Sequence, residues 1–135
     1  MENQIIYFLT FLWGTFIITR ILSHSFHDYK NYGTNKEKSR TITGYLRKIT
    51  GRDIHHIHLG LSLLTITVLL LFIFGTKVCL IIILGISLSL IADQIVPLTN
   101  SKKNYFSKER IIEATIMHVI ISLLALSLSF FEFRN

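Results

Sequence analysis

The chain has 135 residues, of which 50% are hydrophobic and 16% charged, with a formal net charge of +6 and a mean hydropathy of +0.51. So little charge, a single proline and long apolar runs exclude an ordinary soluble domain, because a run of about 20 apolar residues is what a bilayer-spanning helix needs. The single cysteine, Cys79, excludes an internal disulfide and a cysteine-based metal cluster.

The expected fold class is all-α: a polytopic membrane protein forming one four-transmembrane-helix bundle over residues 1–135, with a short interfacial helix in its first loop. The spans are expected at about 5–23, 54–74, 78–96 and 107–131. Met1-Glu2-Asn3-Gln4 lacks the basic start of a signal peptide, so the first run reads as a retained span. The loop 24–53 follows. Its segment from His27 to Arg40 is polar. Beyond it, Ile42, Tyr45, Leu46 and Ile49 recur at helical spacing, with Arg47, Lys48 and Arg52 on other faces. That pattern predicts a helix lying in the headgroup region and ending at Gly51, after which Asp53 caps the second span.

Gly75-Thr76-Lys77 is a short connection, so the second and third spans form a tight antiparallel hairpin. Pro97 is expected to stop the third span, because proline cannot donate to the helical ladder. Ser107 is a suitable N-cap for the fourth, with Glu109 in its first turn. The backbone must satisfy its own hydrogen bonds in lipid, which requires helices.

Twelve of the 14 basic residues fall in or beside the two loops that four spans place on one side; Lys77 and Arg134 are the exceptions. The positive-inside rule then puts both loops in the cytoplasm and both termini outside. Arg20, Arg47, Lys48, Arg52 and Arg110 are the candidate headgroup-binding residues, and membrane lipid is the expected partner. The pI of 9.7 follows from these loops, and no nucleic-acid motif accompanies it.

All six histidines and the one aspartate inside a span gather at that same edge. His24 and His27 close the first span. His55, His56 and His58 open the second, Asp93 closes the third, and His118 lies in the second turn of the fourth. Ionisable groups in membrane spans are rare and functional when present. His55, His58, Ser62 and Thr65 share one stripe of the second span, while Gly85, Ser89 and Asp93 share one of the third. His118, Ser122, Ala125 and Ser129 share one of the fourth. Small residues mark close helix approach, so His58, Asp93 and His118 are expected to point inward. Their depths are comparable, roughly 6 to 10 Å from their span ends at the rise of a helix.

Imidazole and carboxylate together suit zinc or iron. The expected metal ligands are His55, His58, Asp93 and His118. His24, His27, His56 and Glu113 are candidates for a second metal or for supporting contacts. A bound divalent metal would generate a nucleophilic water at neutral pH. Two other readings of the cluster stand beside this one. One is a structural polar cluster in which Asp93 pairs with Arg20, Arg52 or Arg110; the other is proton or ion handling.

His55-His56-Ile57-His58-Leu59-Gly60, the stretch from Gly85 to Asp93-Gln94, and Tyr105-Phe106-Ser107-Lys108-Glu109 resemble a group of small uncharacterised prokaryotic integral membrane proteins. The resemblance covers about residues 52–118. It implies a site at this position and no particular reaction. Relatives carry a second acidic residue where this chain has Gln94, which weighs against a carboxylate pair as two ligands. His24-Ser25-Phe26-His27 and His55-His56-Ile57-His58 are also similar to the histidine boxes of membrane di-iron hydroxylases and desaturases. That family uses about eight histidines in three boxes, and its His-His pairs run in the reverse order.

Two functions follow as expectations. The first is a metal-dependent membrane enzyme acting on a lipid or amphiphile at the cytoplasmic membrane edge, by hydrolysis before oxidation. The second is a non-enzymatic membrane subunit or regulator that binds anionic lipid or a protein partner. Faces rich in Ser, Gly and Ala suit a homo-oligomer under either.

Overall fold

The computed structural model describes the backbone of residues 2–26, 56–99 and 108–134, and within them the side chains of 3–22, 57–94 and 108–130. Four helices make up the described residues: α1 Glu2–Phe26, α2 His56–Phe74, α3 Val78–Thr99 and α4 Lys108–Arg134. Three are long and apolar enough to cross a membrane, over Asn3–Leu22, Ile57–Phe74 and Lys108–Phe130. The apolar stretch of α3, Val78–Gln94, is shorter. The expected interfacial helix over 42–51 and the caps Asp53 and Ser107 lie outside the described residues.

The turn between α2 and α3 follows from its residues. Gly75 takes a φ of +67°, a left-handed conformation open to glycine at little cost. Its N–H donates to Leu71 O at 2.9 Å, closing the last turn of α2. The Lys77 carbonyl then accepts from Leu80 and Ile81 N–H at 3.0 and 3.1 Å, opening α3. Pro97 does not end α3 as the sequence suggests, since the helix continues to Thr99. A proline costs the ladder one N–H, and near a helix end two further residues can still be accommodated.

α3 is the central element. It packs extensively against α1 and α2 and less so against α4, which also touches α1. Two glycines allow the close contacts. A Cβ at Gly85 would lie 2.7 Å from Phe8 O on α1. One at Gly60 on α2 would lie 3.0 Å from Ser87 O and 2.9 Å from Ile91 Cγ1 on α3. Small residues of this kind let apolar helices approach backbone to backbone.

The inner face of α1 is the four-residue series Phe8, Leu12, Phe16, ending in Arg20. The inner face of α4 is Arg110, Ala114 and His118, all buried, continued by the half-buried Ser122, Ala125 and Ser129. α3 is buried on several sides, through Leu80, Gly85, Ser87, Ser89, Leu90, Ala92, Asp93 and Gln94. The outward faces of α1, α2 and α4 are apolar and exposed, from Ile6 and Ile17 to Leu69, Phe72, Leu124 and Phe130. An apolar exterior over a partly polar interior is what helices in lipid require, because only the interior offers hydrogen-bond partners.

Candidate functional site

The polar interior lies where α1, α3 and α4 meet. Asp93, 1% exposed, makes a salt bridge to the Arg20 guanidinium through Oδ1. The neighbouring Gln94 amide donates to its Oδ2 at 3.3 Å. Arg20 reaches this position because it is the fourth member of the α1 series at a four-residue step, and its Cζ lies 5.5 Å from the centre of the Phe16 ring. A guanidinium over an aromatic face is a favourable arrangement in itself. Of the three partners the sequence offers Asp93, Arg20 makes a salt bridge with it; Arg110 is likewise buried, on α4, and Arg52 lies outside the described residues.

His118 is fully buried, and each of its ring nitrogens meets a polar atom. Nδ1 lies 2.8 Å from Ala114 O, one turn back on α4. Nε2 lies 2.9 Å from Ser89 Oγ on α3. A carbonyl only accepts, so Nδ1 carries the proton, and in the neutral ring Nε2 accepts from the serine hydroxyl. The ring is enclosed by Phe16, with centroids 4.3 Å apart, and by Trp13 at 5.6 Å. Trp13 Nε1 donates to Ser122 Oγ at 3.0 Å, and Ser122 in turn donates to His118 O at 2.7 Å. The stripes Gly85–Ser89–Asp93 and His118–Ser122 are therefore inward-facing, as their spacing suggests.

His58 corrects the inward assignment on α2. It is exposed, together with Ser62 and Thr65 on its stripe, and the Thr65 hydroxyl donates to its own helix at Leu61 O. The face of α2 that packs carries Gly60 and Thr67, both buried. Gly60 decides this, because it is where the α2 backbone comes closest to α3. Apolar residues surround α2 on nearly every side, so hydrophobicity does not single out its packing face.

The expected ligand set thus divides. Asp93 and His118 come to the interior, His58 does not, and His55 lies outside the described residues. Asp93 is engaged by a cation, and the two His118 nitrogens by Ala114 and Ser89. Among the described residues, no three His, Cys, Asp or Glu side chains come close enough to hold one ion. The described donors therefore do not fit a shared metal. The side chains of His24, His27 and His56 lie outside the described residues, and Glu113 is half-buried on α4, three residues after the buried Arg110. Arg47 and Lys48 also lie outside them.

Trp13 and Phe16 are the site residues that sequence reasoning misses. The available signal was position: Phe16 lies on the stripe that ends in Arg20, and Trp13 is the only tryptophan, within an otherwise aliphatic and phenylalanine-rich span. Compared with known proteins, the chain matches no family model, no curated protein and no solved structure.

Proposed function

We propose that the protein is a small four-span membrane subunit or regulator, without chemistry of its own, whose basic cytoplasmic edge binds anionic lipid headgroups. One observation carries this reading. The interior charges and ring nitrogens are engaged by one another across helices, Asp93 with Arg20 and His118 with Ser89. Such an interior favours a structural polar cluster over an open coordination site. The outward apolar faces of α1, α2 and α4 support a lipid setting, with α3 as the fourth and most enclosed span.

The second support is the charge distribution. Twelve of 14 basic residues lie in or beside the two loops between α1 and α2 and between α3 and α4. Each cation near an anionic bilayer surface contributes about 1 kcal/mol of attraction, which is screened by salt. Arg47, Lys48 and Arg52 are the headgroup-binding residues of this reading; Arg20 and Arg110 are turned into the interior instead.

The test is native mass spectrometry of the untagged chain in mixed phosphatidylglycerol and phosphatidylcholine micelles, with elemental analysis of the same sample. Phosphatidylglycerol should be retained in preference to phosphatidylcholine. Retention should weaken with salt and be lost in the triple variant R47Q/K48Q/R52Q. About one zinc, or one to two irons, per chain would overturn this reading in favour of metal-dependent hydrolysis or oxidation of a lipid or amphiphile. Equal retention of the two lipids, with a protein copurifying at equal stoichiometry, would assign the basic edge to a protein partner.

A further inference from the structure

α2 lies to one side of the fold. It packs extensively on α3, whereas α1, α3 and α4 pack on one another. The face it lays on α3 carries Gly60 and Thr67, both buried. The opposite face carries His58, Ser62 and Thr65, all exposed. At 3.6 residues per turn, Ser62 and Thr65 stand about 140 to 160° round the helix from Gly60 and Thr67. Every other exposed side chain of α2 between Leu59 and Phe74 is apolar. The Thr65 hydroxyl donates to Leu61 O at 2.9 Å, which leaves its oxygen able to accept a further bond. Ser62 and Thr65 lie about 9 and 14 Å along the helix from His56, well inside the apolar span Ile57–Phe74. Polar side chains at such depth ordinarily face other protein, and here they face away from the rest of the chain.

We infer that this face is an interface between two copies of the chain, joined along α2 about a two-fold axis parallel to the membrane normal. A second copy inserts in the same orientation, so its hydroxyls stand at the same depth. About such an axis each residue of the stripe meets its own copy. Ser62 is self-complementary, because a hydroxyl donates from one chain and accepts in the other. The Thr65 oxygen accepts in the same way. Ser62 and Thr65 are uncharged, so this part of the stripe calls for no partner of opposite charge. The chain already joins two of its own helices through a serine hydroxyl, at Ser89 and His118. The interface also accounts for the spacing of the stripe, which reads as an inward face and is inward only when two copies are counted. The inference does not depend on what the basic edge binds.

The experiment reconstitutes the purified full chain in dilute phosphatidylcholine vesicles and counts chains per particle by single-molecule photobleaching. The wild type should bleach in two steps. The variant S62L/T65L should shift toward one step, its dissociation constant rising about threefold to thirtyfold for each interhelical hydrogen bond lost. Oxidative cross-linking on a C79S background, which removes the only native thiol, then reads the face. S62C and T65C should link two chains. I66C and V68C, also exposed on α2 but to either side of the stripe, should not. A wild type that bleaches in one step overturns the interface and leaves the stripe to lipid or to a different protein. So does S62L/T65L dimerising like wild type, or equal cross-linking at all four positions. The cysteine series keeps the test decisive if S62L/T65L fails to fold.

Discussion

At Ser89 and His118 the donor and acceptor roles are fixed by chemistry alone. The Ala114 carbonyl sets the tautomer, and the tautomer makes Nε2 an acceptor for the serine hydroxyl. This bond joins α3 to α4 in an apolar setting, where interhelical hydrogen bonds contribute about 0.6 to 2 kcal/mol. A double-mutant cycle with S89A and H118A, read by unfolding in mixed detergent, should return a coupling energy in that range. Purely additive losses would mean the two side chains meet without interacting. In the sequence, both residues stand out as polar members of small-residue stripes. Their pairing does not, because a stripe gives the face of a helix and not the residue opposite. The same limit applied to Asp93: three arginines were available by position, and only the α1–α3 crossing brings Arg20 to it.

The helices follow from their composition, and their contacts follow from where the backbone can come close. Gly85 and Gly60 are such places, whereas a Cβ at Gly14 would meet nothing within 4 Å. G85A forces a methyl against the Phe8 carbonyl, which belongs to backbone and cannot rotate away. Overpacking of that kind costs about 1 to 3 kcal/mol. G60A meets partly a flexible Ile91 side chain and should cost less. G14A should be neutral or slightly stabilising through helix propensity. The order G85A, G60A, G14A in detergent-unfolding midpoints is the check, and equal midpoints for G85A and G14A would refute the close α1–α3 contact. α2 shows why sequence reading fails here. With apolar residues on nearly all sides, the His58–Ser62–Thr65 stripe looked like the face to bury. The glycine one turn into the helix gives a closer fit than any polar stripe.

At the scale of the whole molecule, charge and hydropathy make a prediction about orientation. If the basic loops face the cytoplasm, the hairpin between α2 and α3 lies outside, and Cys79 with it. Cys79 is the only cysteine, is exposed, and stands two residues after Lys77 near the start of α3. A membrane-impermeant maleimide should therefore label it in intact cells. Labelling only after permeabilisation would invert the orientation and move the basic edge to the other side.

The sequence by itself determined the helical class, the apolar lengths of the helices, the tight Gly75 turn and the inward direction of Asp93 and His118. These depend on local composition and on the helical period, both of which are written along the chain. Tertiary structure decided which of the inward groups meet. It turned His58 outward, gave Asp93 to Arg20 and His118 to Ser89, and enclosed the imidazole with Trp13 and Phe16. The reason is geometric. Partners on different helices are set by crossing points and rotation, and in a uniformly apolar chain those are fixed by a few glycines and by the need to pair each buried charge.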